Sequence, residues 1–203
     1  MKKINFIHIP KNGGTSIKTI CSNNKHMIYR HHRCDVFNRK LPNTLIVIRN
    51  PIERFISAVN YSLQKWSHKE NIKYLIRNKI DTPNKFVEIW MDKNHKEYSN
   101  LMKLMKNEKQ KIGNKMIEYK WTYYPQYNWI NNPKFVIVMD NLNEELRYFM
   151  DKYNIKGKII QNNKTSSSHN ILSEKSKKFL MKFYKKDIEI YNKYKNISME
   201  NRL

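Results

Sequence analysis

The chain has 203 residues, of which 39% are hydrophobic and 12% aromatic, enough apolar material for a sizeable core. Only four Gly and six Pro exclude a collagen-like or Pro/Gly-rich disordered chain. Forty Lys and Arg against 17 Asp and Glu give a formal charge of +23, which calls for an anionic partner: nucleic acid, an acidic membrane surface or a polyanionic substrate. With 32 Lys, 8 Arg and 27 Asn, the composition is also what an A/T-rich genome encodes. The charge therefore supports an anionic ligand without naming one, and no specific nucleic-acid partner is expected.

Met1-Lys2-Lys3 leads into six residues, Ile4 to Ile9, before Pro10. That stretch is too short and too polar for a signal-peptide core. No apolar run approaches the ~20 residues of a membrane span. The expectation is a chain with no membrane span, made and kept in a cytoplasm.

Residues 4–9 (INFIHI) read as a short buried strand, Pro10 to Gly14 as a loop, and Thr15 to Cys21 as a helix start. Residues 44–49 (TLIVIR) are a second, β-branched strand. Asn50-Pro51-Ile52-Glu53 then signals a helix: Asn50 caps, Pro51 suits the first helical position and Glu53 completes a capping box. Ile52, Phe55, Ile56, Val59, Leu63 and Trp66 form its apolar stripe. Residues 68–120 are Lys-rich and read as mostly helical, with breaks near Pro83 and Gly113. Residues 135–139 (FVIVM) are a third strand, and Asn141-x-x-Glu144 starts the next helix. Residues 158–172 form a polar loop. A last helix, about 174–195, carries an aromatic stripe that reads as core rather than as a base-stacking platform.

Strands alternate with helices, and the strands look buried on both faces. This predicts an α/β fold: a three-layer, mostly parallel β-sheet flanked by helices. A single domain over 1–203 is expected, with 68–120 as a helical, Lys-rich insertion. In such sheets ligands bind beyond the carboxyl ends of the strands. Cys21 and Cys34 are too few for a disulfide framework or a four-Cys zinc site, and the seven His form no metal-binding motif. No metal is expected.

Two polar clusters stand at predicted strand ends. In the first, FIHIPKNGGTSI, Gly13 and Gly14 let the backbone approach a ligand closely. The first N–H groups of the following helix favour an anion, Thr15 and Ser16 add hydroxyls, and Lys11 adds a mobile positive charge. Lys precedes the glycines, unlike a Walker A loop, G-x-x-x-x-G-K-[ST]. In the second, IRNPIERFIS, Arg49 ends a strand and Ser57 lies in the second turn of the next helix. Arg49 can grip a phosphate bidentately. Arg54 reads as a structural ion-pair partner, and His8 as a core or supporting residue.

Together, H-I-P-K-x-G-G-T-S and I-R-x-P-x-x-R-x-x-S resemble the sulfotransferase family, most closely the branch that sulfates carbohydrates, including the heparan-sulfate 2-O and 6-O enzymes. The resemblance implies a P-loop-like fold that binds 3′-phosphoadenosine 5′-phosphosulfate (PAPS) and releases 3′-phosphoadenosine 5′-phosphate (PAP). It places Lys11, Asn12, Gly13, Gly14, Thr15 and Ser16 at the 5′ side, and Arg49 and Ser57 at the 3′-phosphate. YYPQYNWI (123–130), FVIVMDNLNEEL (135–146), NNKTSS (162–167) and FYKKDIEIYNKY (183–194) resemble later family segments. Of these, NNKTSS offers Asn163 and Lys164 to the nucleotide. HHRCDVF resembles the segment carrying a catalytic His, implying His32 as the base, with His31 as the alternative. Asn12 stands where Thr is common in the family, and Asp140 where Glu is common. The implied reaction is in-line transfer of a sulfuryl group to an acceptor hydroxyl, carried by a glycan or another small molecule, with Lys11 neutralising the leaving oxygen. Two other readings stay open from the residues: a nucleotide-binding, kinase-like relative and a non-enzymatic basic protein that binds nucleic acid.

Overall fold

The computed structural model describes residues 3–31, 41–65, 67–112, 115–159 and 171–203. In chain order the elements are β1 (Ile4–Ile7), α1 (Gly14–Ser22), β2 (Met27–Arg30), β3 (Thr44–Ile48), α2 (Pro51–Lys65), α3 (Glu70–Arg77), α4 (Pro83–Met91) and α5 (Tyr98–Met105). They continue with β4 (Lys106–Ile112), β5 (Lys115–Tyr119), β6 (Phe135–Val138), α6 (Leu142–Lys152), α7 (Glu174–Phe183), α8 (Lys185–Lys195) and α9 (Met199–Arg202). Four strands pair in the order β2-β1-β3-β6, all parallel, and helices flank the sheet. This is the α/β class that the alternating pattern predicts. Among the described residues, no helix is long and apolar enough to cross a membrane.

The residues fall into two compact units, one drawn from 1–51, 125–164 and 186–203, the other from 52–124 and 165–185. In the first unit, every residue of β1, β3 and β6 is buried, which is why these strands read as unbroken apolar runs rather than alternating ones. Ile4, Phe6, Leu45, Val47, Phe135 and Ile137 share one core with Ile17 and Ile20 of α1 and Leu146 and Phe149 of α6. β2 escapes sequence reading because its apolar run is three residues long and only Met27 is buried.

A buried ion pair ties the C-terminal turn to this core. Arg202 meets Glu145 with both its Nη atoms, at 2.7 and 2.8 Å, and also donates to the Val136 carbonyl. The second Glu145 duty is to accept from the Val138 N–H at 2.8 Å, at the end of β6.

The second unit packs α2, α3, α4, α5 and α7 around Phe55, Phe86, Trp90, Leu101, Tyr123 and Leu180. Phe179 and Phe183 meet the Trp90 ring edge-on, at 5.1 and 4.7 Å between centroids, so this part of the aromatic stripe is core. The helical reading of 68–120 holds as far as Met105. From Lys106 the chain is instead an antiparallel hairpin, with Ile112 opposite Lys115. Strand pairing overrides the weak helical preference of these Lys- and Glu-containing segments. The single helix expected over 174–195 is two, α7 and α8, broken at Tyr184. Tyr184 is buried, and its hydroxyl donates to the Tyr123 carbonyl at 2.7 Å.

Removing one partner of a buried pair strands the other charge, at a cost of about 3–5 kcal/mol. Glu145→Ala is therefore expected to lose about that much in urea unfolding, and Glu145→Met with Arg202→Met to recover a large part of it. A loss below about 1 kcal/mol would show that the pair does not anchor the core.

Candidate active site

β1 and β3 are adjacent and parallel, so the segments that follow them leave the same edge of the sheet. After β1 the backbone turns sharply. Lys11 and Gly13 both have φ of 69°, in the left-handed region. Glycine adopts this freely. For Lys11 it costs about 1–3 kcal/mol, which the surrounding contacts must hold in place. The glycines also serve close approach. A Cβ on Gly13 would come within 2.9 Å of Leu142 Cδ2 and 3.0 Å of Met139 Sδ, and one on Gly14 would overlap the His8 ring. Among the described residues α1 has no side-chain cap, and it has no acid in its first turn. The Ser16 N–H bonds the Gly13 carbonyl at 3.2 Å, and the positive end of the helix dipole at Gly14 and Thr15 favours an anion. Thr15 is exposed beside this end, and Ser16 is buried.

The two sequence motifs meet here. Arg49 follows β3, and its Nη1 donates to the Lys11 carbonyl at 3.2 Å. Asn12, 1% exposed, turns inward and donates to the Val47 carbonyl at 2.7 Å and to Gln126 Oε1 at 2.9 Å. Gln126, fully buried, also accepts from the Arg49 N–H at 3.3 Å and donates to the Arg49 carbonyl at 2.7 Å. Asp187 of α8, fully buried, accepts from the N–H groups of Gln126 and Tyr127 at 2.7 and 2.8 Å. Asn12 thus works as a brace beneath the loop. Its Oδ1 is buried without a partner among the described residues, a cost specific to Asn where the family commonly has Thr.

His8 lies beside this turn. Its Nδ1 is 2.6 Å from the Tyr29 hydroxyl on β2. Burial, followed by the charges of His31, Lys18 and Lys11, lowers its pKa to about 4, so it is neutral near pH 7. His31 is exposed, its ring 6.4 Å from His8 and 6.3 Å from Tyr29. The candidate base His31 is therefore close to the Lys11 loop. His32, Cys34, Asn163 and Lys164 lie outside the described residues. Cys21 is buried, and burial pushes its thiol up to about 12, which leaves it unreactive.

In the second unit, Ser57 is buried on α2. Arg54, buried on α2, donates to the Tyr124 carbonyl at 2.9 Å and the Trp121 carbonyl at 3.2 Å.

Sequence reasoning assigned no role to Gln126, although it lies in a segment resembling the family. It missed Asp187 altogether. A signal existed: Asp187 falls between Tyr184 and Tyr191 at helical spacing, on the apolar stripe of the last helix. An acid there has to meet a buried partner.

A helix start without a side-chain cap and a cationic loop thus stand together at the carboxyl edge of a parallel sheet, a geometry suited to an anion. A model of the sulfotransferase family matches residues 1–195 of the 203. The chain belongs to that family. No curated protein and no solved structure matches it.

Two outcomes follow from His8. Gly14→Ala is expected to displace the His8 ring and abolish anion binding at the loop while the sheet still folds, as read by circular dichroism. Because the unfolded chain takes up the proton that folded His8 refuses, stability should fall as pH drops from 6.5 towards 4. His8→Gln should flatten that part of the melting-temperature profile; an unchanged slope would show that His8 is not held neutral.

Proposed function

We propose that this sulfotransferase takes its sulfuryl group from PAPS and passes it to a carbohydrate hydroxyl, as in the heparan-sulfate 2-O/6-O-like branch. The observation that carries the reading is the 3.2 Å contact from Arg49 Nη1 to the Lys11 carbonyl. It brings the cations of both motifs to one edge of the sheet, a fit to a ligand with two separate anionic groups. Residues 1–203 act as one sulfotransferase domain in this reading.

Lys11, Gly13, Gly14, Thr15 and Ser16 hold the 5′ side, with Asn12 acting through its buried amide. Arg49 and Ser57 hold the 3′-phosphate, on the strength of the motif's spacing, and Asn163 and Lys164 add nucleotide contacts. Bound PAPS supplies an activated sulfuryl group whose departure leaves negative charge on a phosphate oxygen. Lys11 Nζ and the first N–H groups of α1 neutralise that charge, and loss of one such donor typically costs about 10²–10³ in rate. His32, or His31, takes the proton of the acceptor hydroxyl, a contribution of about 10²–10⁴-fold. The proposal calls for no metal, because the cations are fixed on the chain. The formal charge of +23 suits an acidic glycan as acceptor.

Calorimetry without added metal tests this. PAP should bind much more tightly than AMP, and Arg49→Ala should reduce PAP to the level of AMP. Lys11→Ala should lower turnover by about 10²–10³. Equal binding of AMP, ADP and PAP would contradict the reading.

A further inference from the structure

We propose that Gln126, held by Asp187, is a positioning residue that sets the spacing between the Lys11 loop and Arg49, and so the selectivity for a nucleotide carrying phosphate at both 3′ and 5′ positions. The inference rests on the PAPS reading above.

The side-chain amide of Gln126 grips both polar groups of one peptide residue. It accepts from the Arg49 N–H at 3.3 Å and donates to the Arg49 carbonyl at 2.7 Å. A neighbouring strand would make the same pair of bonds, so the amide continues the pairing of β3 one residue beyond its last residue, Ile48. The orientation of the amide is forced. Arg49 O needs a donor, while Arg49 N–H and Asn12 Nδ2 both need an acceptor, so Nε2 and Oε1 have one arrangement that satisfies all three. Glu would lack the donor, and Met would lack both groups.

Through Asn12 the same oxygen reaches the first loop at 2.9 Å. Gln126 is thus bonded to both motif loops from beneath. Its own backbone is pinned in turn: Asp187 holds the N–H groups of Gln126 and Tyr127 with its two oxygens. Gln126, Asp187 and Asn12 are each no more than 1% exposed, so they act on a ligand through the loops and do not touch it. The distance between the 3′ and 5′ phosphates of one nucleotide is limited by its ribose. A protein that grips both needs its two cationic loops at a matching separation, and this network supplies that constraint. Without it, each loop keeps its own cation but the separation is no longer held. A bisphosphate then loses the benefit of preorganisation, whereas a ligand of one loop does not.

The test is calorimetric titration of the full chain with PAP and with AMP, alongside thermal melting, for wild type, Gln126→Met, Gln126→Glu and Asp187→Asn. Asp187→Asn leaves the Gln126 side chain in place and weakens only its backbone anchor, so it covers the case in which the Gln126 variants fail to fold. The expected result is a PAP-to-AMP affinity ratio that falls by about tenfold or more, with AMP affinity within about twofold of wild type. Asp187→Asn should give a smaller drop of the same kind. A purely structural role would lower the melting temperature and leave the ratio unchanged. An unchanged ratio in the folded variants, or parallel loss of both ligands, would overturn the proposal while leaving the PAPS reading standing. A wild type that does not prefer PAP to AMP would overturn both.

Discussion

Parallel pairing of β1 with β3 constrains everything else at the site. Because both strands run the same way, the residues after each one leave from one edge. The strands are buried throughout, so charge has no place along them and is displaced to their ends. Lys11 and Arg49 stand just beyond those ends, close enough that the guanidinium reaches the Lys11 carbonyl. β6 completes the edge on the far side of β3, and Met139 and Leu142 beyond it close against Gly13. The lack of a Cβ at 13 and 14 is therefore a packing requirement set by the ends of β1 and β6, with the His8 ring against Gly14 and Met139 and Leu142 against Gly13.

The electrostatics follow from that packing. A helix start with no cap and no acid is costly unless something supplies negative charge. Two other helices are capped by their own side chains: Thr82 accepts from the Lys85 N–H on α4, and Ser173 from the Ser176 N–H on α7. Among the described residues α1, like α3, α5, α6 and α9, has no such cap, and unlike α3, α6 and α9 it also has no acid in its first turn. His8, the ring nearest the turn, is kept neutral by burial and by the cations around it, so it adds no further charge near pH 7. The formal charge of +23 is spread over the whole chain. What distinguishes the site is the orientation of a few donors rather than the total.

Much of the fold was legible because it rests on local signals. Three buried strands announced themselves as apolar runs, and helix starts read at Pro51 and Thr15 fall within a residue of the observed ones, Pro51 and Gly14. The paired motifs at Lys11 and Arg49 were legible for the same reason: each is contiguous. What was hidden depends on partners distant in sequence. Nothing near Glu145 shows that Arg202 will cover it, and nothing near Gln126 shows that Asp187 will. The hairpin after Met105 was obscured by Lys and Glu, which also favour helices, although Gly113-Asn114 carried the contrary signal. β2 was too short to show a period. The split of the last helix followed from Tyr184 being drawn into a core formed by α2 to α5.

The central claim is that the loop from Lys11 to Ser16 and Arg49 together make one anion site specific for PAP. Its most direct test is a titration of ¹⁵N-labelled protein with PAP, followed by NMR. The account predicts saturable, one-to-one shifts concentrated at the amides of Gly14, Thr15 and Ser16 and at the Arg49 side chain, with AMP moving the first set but not Arg49. Shifts scattered over surface lysines, or the same with AMP as with PAP, would contradict it.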